Sequence, residues 1–192
     1  MPAAAGARER GRARVLEGAA KGFRAHGFGG VGVDGIAKAA GVTSGAFYAH
    51  FRSKDAAFEA TVDQGLQALV DAVVQVRATG ADWAERFIDM YLGERRTCDL
   101  GESCALQSLT VEVARAGPEV RAAYEARFEA AVRVIADGLG WLPPTDRAPR
   151  ARALLGLLAG GVSIARALAS PAAAQAVADA TRTAALALVA RA

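Results

Sequence analysis

The side chains best suited to a defined chemistry are concentrated in residues 43–54. They combine hydroxyl groups, a methyl group, a phenol, an imidazole and an ammonium, on Thr43, Ser44, Gly45, Ala46, Tyr48, His50 and Lys54. Hydroxyl groups exchange hydrogen bonds with base edges, a methyl group packs on the methyl of thymine, and cations pair with phosphate oxygens. This mixture is typical of a surface that binds nucleic acid, with Ser44 and Ala46 as the predicted base contacts.

The same stretch, together with the ten residues before it, predicts two short helices around a tight turn. Apolar residues at helical spacing precede Gly41, which can adopt the left-handed conformation that ends a helix. Thr43 and Ser44 can then cap a second helix. On that helix Phe47 and Phe51 lie four residues apart and therefore face one side. The pattern predicts a helix-turn-helix with an apolar core side and a polar reading side.

Residues 27–58 resemble the DNA-binding head of the tetracycline-repressor (TetR) family of bacterial transcription regulators. The most specific part of the resemblance is the run Phe-Tyr-Ala-His-Phe-Arg-Ser-Lys at residues 47–54. At three of these positions the family motif carries phosphate-contacting residues. The resemblance therefore implies phosphate contacts for Tyr48, His50 and Lys54. The alternatives are a Tyr48 that belongs partly to the core and a His50 with a structural role.

The chain departs from the family pattern just before the first of the two short helices. A Thr or Ser commonly caps that helix and contacts a phosphate, whereas this sequence has Val31 and Gly32. Gly35 also weakens the helix by about 1 kcal/mol relative to Ala. Asp34 favours the helix start through the macrodipole but, as an anion, cannot bind phosphate. We expect DNA affinity to depend more on the following helix.

The whole chain predicts an all-α protein. It has 192 residues, 53% of them hydrophobic, and helical periodicity runs from residue 8 to residue 191 without an alternating strand pattern. The resemblance implies the nine-helix TetR-like architecture. In that architecture residues 1–54 form an N-terminal three-helix DNA-binding helix-turn-helix domain. Residues 55–192 form a C-terminal ligand-binding and dimerisation domain.

Charge is unevenly distributed along the chain. Residues 1–54 hold nine Lys or Arg against three acidic residues, a net charge of +6, so the remainder carries −3 of the total of +3. A basic head fits a nucleic-acid partner, because phosphate contacts release counterions. A merely solvated charged face explains the same split equally well. The same two interpretations, a DNA-contacting arm or a solvated arm, apply to Arg8, Arg10, Arg12 and Arg14.

The sequence predicts a cytoplasmic location. Cys98 and Cys104 do not make a disulfide framework, and no secretory signal is recognisable. A redox role for the two thiols is left open, with plain packing as the commoner alternative. The most apolar stretch, residues 153–165, falls short of the roughly 20 residues that span a bilayer. We therefore expect no membrane partner.

The last two predicted helices, about residues 147–169 and 171–191, are rich in small apolar residues. Small side chains let helix axes approach closely, so this pair is either a subunit interface or a core within one chain. Members of the family dimerise through their last two helices. The resemblance therefore implies a homodimer through this pair.

The resemblance also implies an unknown small-molecule effector bound among helices four to eight. Ligand cavities combine apolar walls with a few polar tips. The residues that fit this description are Trp83, Phe87, Met90, Tyr91, Gln107, Tyr124 and Phe128. Each of them fits a plain core equally well or better.

These observations predict a ligand-responsive transcriptional regulator, and the resemblance favours a repressor. It would bind double-stranded DNA at a palindromic operator as a homodimer and be released by a small molecule. The alternative is a chromosome-associated or architectural DNA-binding protein controlled by a protein partner. We expect no enzyme, cofactor or metal site, since His26 and His50 are the only histidines and no nucleophile–base–carboxylate set lies outside the DNA-binding head.

Overall fold

The computed structural model describes residues 2–191, with side chains from residue 6 onward. This part of the chain contains ten α-helices and one 3₁₀ turn at Leu100–Glu102, and no strand. The helices are α1 Pro2–Gly30, α2 Val33–Ala39, α3 Ser44–Tyr48, α4 Lys54–Arg77, α5 Trp83–Leu92, α6 Glu94–Thr97, α7 Ala105–Arg115, α8 Pro118–Gly138, α9 Pro144–Ala167 and α10 Pro171–Val189. The predicted all-α fold is confirmed. The described residues contain one helix more than the nine predicted, the four-residue α6.

The Arg-rich segment is helical and is not an arm that precedes the first helix. Residues 8–14 lie within α1, which continues to a break at Gly27 with φ 73° and ψ 171°. Only glycine adopts this left-handed conformation without strain. α9 starts earlier than predicted, because Pro144 takes the first helical position, where a missing N–H costs no hydrogen bond.

The chain divides into two compact units. The first comprises residues up to Gly65 together with Asp99–Tyr124, and the second comprises Leu66–Cys98 together with residues from Glu125 onward. This division describes packing. The functional boundary that we expect at residues 54 and 55 concerns activity and stays a prediction.

Three aromatic rings contact one another in the first unit, with Phe23 and Phe58 buried and Phe28 partly exposed. Phe23 lies 5.8 Å from Phe28 and 5.1 Å from Phe58, measured between ring centroids. Such aromatic contacts stabilise a core beyond the area that they bury. Polar contacts hold α1 against the segment that follows residue 99, because Arg24 donates to the Gly101 carbonyl at 3.2 Å and Lys21 pairs with Glu102 at 3.1 Å. α1 is thus fixed on several sides.

The second unit is built around α9 and α10. Leu154, Leu155 and Leu158 of α9 are fully buried. Gly161 allows α10 to approach closely, since a Cβ there would overlap Thr181. One face of this helix pair is therefore a core within the chain, as the second of our two alternatives predicts. Other positions on the pair stay exposed, among them Ile164 at 55%.

Across residues 2–191, each helix is too short or too polar to cross a bilayer.

Candidate nucleic-acid interface

α2 begins without a side-chain cap, as the departure from the family pattern predicts. Gly32 occupies the N-cap position with φ −90°, and no side chain bonds the free amide groups there. Asp34 lies in the first turn, where its charge interacts favourably with the helix dipole. The phosphate contact that a Thr or Ser makes at this point in the family has no counterpart here.

The turn between α2 and α3 has the predicted backbone. Gly41 has φ 65°, the left-handed conformation that glycine adopts without strain. Arg14 of α1 donates to the Ala40 carbonyl at 3.1 Å, so it neutralises a helix end that would otherwise lack a partner. This arginine has a structural role, and it fixes the turn against α1.

α3 is short, and Thr43 caps it. The Thr43 hydroxyl oxygen accepts a hydrogen bond from the Ala46 amide at 3.2 Å. Five residues make too few hydrogen bonds for an independent helix, so the cap contributes materially to its stability. Thr43 thus has a structural function in addition to the DNA contact that we predict for it.

Aromatic side chains divide α3 into a buried and an exposed side. Phe47 is fully buried and Phe51 is 4% exposed, whereas Tyr48 is 58% exposed. The Tyr48 ring contacts the Phe47 ring edge to face, with centroids 5.3 Å apart. The core side that we predicted for the two phenylalanines is present. The phenol of Tyr48 is held by its own neighbour and is open to solvent.

Ser44 and Asp34 form a contact that the sequence reasoning did not find. The Ser44 hydroxyl donates to an Asp34 carboxylate oxygen at 2.5 Å. This bond links the first turn of α3 to the first turn of α2. Asp34 therefore positions the reading helix, although it cannot itself bind a phosphate. The only signal in the sequence was a carboxylate at a helix start ten residues before a hydroxyl.

Lys54 lies at the first position of α4. Ser53 caps this helix, since its hydroxyl accepts from the Ala56 amide at 3.1 Å. The Lys54 ammonium lies 4.3 Å from the centroid of the Phe28 ring. A cation over an aromatic face is favourably held. The position at a helix N-terminus also suits a phosphate ligand.

His50 follows α3 and lies close to α1. Its ring is partly exposed, and it stands directly opposite Gly11. Two exposed arginines lie near this ring. The sequence predicts a DNA-contacting or a solvated arm for Arg12 and no specific role for Arg52. Arg12 of α1 stands over the Phe51 ring at 4.9 Å, and Arg52 pairs loosely with Glu119 at 3.8 Å. Only the folded chain brings Arg12 to this position, because 38 residues separate it from His50.

The structure distributes the predicted ligand-binding residues between the two compact units. Gln107 and Tyr124 belong to the first, and the remaining five, Trp83, Phe87, Met90, Tyr91 and Phe128, belong to the second. Trp83, Phe87 and Tyr91 are almost fully buried. The Tyr124 hydroxyl shares a hydrogen bond with Thr110 at 2.8 Å, and burial raises the pKa of this phenol. Their role as effector contacts stays a prediction.

Cys98 and Cys104 are both free and partly buried. Arg166 donates to the Cys98 sulfur at 3.2 Å and to the Cys98 carbonyl at 2.9 Å. These bonds fix the segment that follows α6. No disulfide joins the two thiols.

Residues 15–61 match the family model described as bacterial regulatory proteins, tetR family. The match covers all of α2 and α3, the turn between them and the adjoining parts of α1 and α4. Residues 15–61 therefore form a TetR-family DNA-binding head. No curated protein sequence matches the chain.

Solved structures extend the similarity from this head to the whole fold. The reduced form of NemR from E. coli superposes with a TM-score of 0.79 at 18% identity, over 95% of this chain and 100% of that chain. SCO4454, a TetR-family transcriptional regulator from Streptomyces coelicolor, superposes with a TM-score of 0.76 at 24% identity, over 94% of this chain and 95% of that chain. A putative TetR-family regulator from Mesorhizobium loti superposes with a TM-score of 0.70 at 19% identity, over 94% of this chain and 97% of that chain.

At these identities the superpositions show the fold, and the family match identifies the head. The predicted DNA-binding transcriptional regulator is confirmed at this level. The matched family is one of DNA-binding regulators and not of enzymes. The residue-by-residue DNA contacts stay a prediction.

Removing the Thr43 cap tests the local architecture of the head. We expect Thr43→Ala to lower the free energy of unfolding by about 1 kcal/mol, because one amide at the start of α3 loses its partner. Urea denaturation followed by circular dichroism measures this change. Thr43→Ser keeps the accepting oxygen and is expected to stay close to the wild type. An unchanged stability in Thr43→Ala would show that α3 does not depend on this cap.

Proposed function

We propose that this TetR-family regulator is a repressor that binds a palindromic operator as a homodimer and that a small molecule releases it. Such a protein acts where the chromosome lies, which in a bacterium is the cytoplasm. The proposal is supported by the family match of the head, by the exposed side of α3 and by the exposed apolar surface of the last two helices.

The exposed side of α3 is the observation that carries the proposal. A recognition helix needs short or polar residues that enter the major groove, with aromatic anchors behind it. Gly45 is exposed and Ala46 is partly exposed, while Phe47 is fully buried on the opposite side. α3 thus presents a narrow surface with little side-chain bulk. Such a surface allows the backbone itself to approach base edges.

Two kinds of DNA contact follow from the chemistry of the predicted residues. Thr43, Ser44, Gly45 and Ala46 lie at the start of α3 and are proposed to face the bases. Tyr48, His50 and Lys54 flank the helix and are proposed to contact phosphates. Phosphate contacts give affinity for any sequence, whereas base contacts distinguish one sequence from another.

The homodimer is supported by the surface of α9 and α10. Gly156 and Gly160 lie four residues apart on α9, and nothing lies within 4 Å of a Cβ built on either. Next to them Ile164 and Leu168 are 55% and 39% exposed. Small residues beside apolar ones allow a second helix pair to pack closely. A twofold dimer would present two heads about 34 Å apart, one turn of DNA, and would require a palindromic site.

Release by a small molecule requires a difference in affinity. A ligand dissociates the complex only if it binds the conformation that does not bind DNA more tightly. We propose that α4 transmits the change, because it begins at Lys54 in the head and continues to Arg77 in the second unit. The seven predicted ligand-binding residues are the proposed effector contacts.

Selection of bound duplexes from a random pool tests DNA recognition directly. The expected result is one enriched palindrome whose half-sites are centred about 34 Å apart, and footprinting of the DNA that flanks the coding region is expected to locate a copy. Retention of no duplex at low salt would overturn the proposal. Dispersed binding across a genome, without a palindrome, would favour the architectural alternative instead.

A ligand screen tests release. A small molecule that raises the melting temperature binds the folded protein, and at saturation it is expected to lower operator affinity. Equal operator affinity with and without that ligand would overturn the proposed coupling.

Ser44→Ala and Lys54→Ala separate base contacts from phosphate contacts. Lys54→Ala is expected to weaken binding to every duplex and to lower the slope of log affinity against log salt by about 0.9 per lost contact. Ser44→Ala is expected to reduce operator affinity more than affinity for a random duplex. Fluorescence anisotropy over a salt series measures both. Lys21→Ala is the matched control, because this lysine pairs with Glu17 and Glu102 away from α3. If both variants lost affinity equally for the operator and for a random duplex, the assignment of Ser44 to bases and of Lys54 to phosphates would be contradicted.

Ile164→Asp tests the dimer. It is expected to weaken self-association by roughly a hundredfold or more, because an unpaired buried carboxylate costs about 3 kcal/mol or more. Sedimentation equilibrium measures the dissociation constant. Val111→Asp is the control, since Val111 on α7 is similarly exposed at 59% and lies outside the proposed interface. Loss of the dimer in the control alone would assign the interface to a different surface.

A further inference from the structure

We propose that Arg8 and Arg12 of α1, together with His50 after α3, form a binding site for one DNA phosphate. We call these three residues the phosphate seat. The inference rests on the DNA binding proposed above and extends it to a helix outside the helix-turn-helix.

A cavity of about 500 Å³ defines the phosphate seat. It is lined by Arg8, Glu9, Arg12, Ala49 and His50. Two guanidinium groups against one carboxylate leave the lining positive, and the imidazole adds a further hydrogen-bonding group. A second cavity of about 560 Å³ shares Arg12 and His50 but also contains Arg52, Glu59 and Asp63, so its charges balance. The first cavity is therefore the one that suits an anion.

The position of the cavity favours a DNA phosphate over a free anion. Ala49 and His50 directly follow α3, the helix proposed to enter the major groove. A groove is bordered on both sides by the sugar-phosphate backbone, so residues that flank a recognition helix face phosphates. Arg8 and Arg12 lie four residues apart and therefore share one side of α1. That side is the one that lines the cavity with His50.

The two arginines are available for an anion. Among the residues whose side chains are described, neither Arg8 nor Arg12 forms an ion pair with a carboxylate. Arg12 instead stands 4.9 Å from the centroid of the buried Phe51 ring. This contact orients the guanidinium without neutralising it. A group that is already ordered loses less conformational entropy when it binds.

Gly11 gives the phosphate seat its shape. A Cβ on Gly11 would lie 2.8 Å from the His50 Nε2 atom and 3.2 Å from Cε1. A side chain at residue 11 would require the imidazole ring to shift away from α1. Glycine inside a helix costs about 1 kcal/mol relative to alanine. Gly11→Ala therefore favours the helix while it displaces the imidazole, which separates an effect on binding from an effect on folding.

Salt-dependent binding of the full chain tests the inference. The probes are the selected operator duplex and a random 30-base-pair duplex, and the variants are Arg8→Ala/Arg12→Ala and Gly11→Ala. For the double variant we expect roughly tenfold weaker binding to both duplexes and a salt slope lower by about 0.9 per head, because one phosphate is no longer neutralised. For Gly11→Ala we expect weaker binding to both duplexes and an unchanged or higher melting temperature.

Two control variants give the comparison. Arg10→Ala removes the same charge from the other side of α1, where the arginine lies beside Gly6, and is expected to bind like the wild type. Arg12→Lys keeps the charge and is expected to retain most of the salt slope. A slope in the double variant equal to that of Arg10→Ala would overturn the phosphate seat. Failure of the wild type to bind any duplex would instead overturn the proposed function.

Discussion

Phe47 and Phe51 bury their rings on the inner side of α3 and of the residues that follow it, with centroids 5.8 Å apart, and this burial sets the orientation of α3. A helix of five residues cannot maintain its direction alone. Burial of each ring contributes about 1.5–3 kcal/mol, which is large compared with the few hydrogen bonds of α3. Because the rings hold one side of the helix inward, Tyr48 and the residues of the first turn are left on the outside.

Polar contacts refine what the rings establish. Thr43 caps α3, Asp34 accepts a bond from Ser44, and Arg14 binds the carbonyl that ends α2. Each of these bonds is individually worth about 1 kcal/mol, so none of them decides the fold. Together they link α1, α2 and α3 into one body. The proposed base contacts and phosphate contacts therefore keep fixed distances from one another.

Local features of this head could be predicted from the sequence, and contacts between distant residues could not. The left-handed turn at Gly41 and the buried pair of phenylalanines follow from residue type and spacing. The bond between Asp34 and Ser44 and the approach of Gly11 to His50 depend on how α1, α2 and α3 pack, which periodicity does not encode. Helix starts were less predictable still, because alanine-rich segments such as the one around Arg8 favour a helix wherever neighbours allow it.

The bond from Ser44 to Asp34 has a consequence for base preference. The hydroxyl proton of Ser44 is donated to the Asp34 carboxylate. The Ser44 oxygen can therefore only accept hydrogen bonds from a base that faces it. In a major groove such an oxygen is attracted to the exocyclic amino groups of adenine and cytosine and repelled by the keto oxygens of guanine and thymine. Asp34, although it does not itself contact DNA, would in this way make Ser44 favour adenine and cytosine over guanine and thymine.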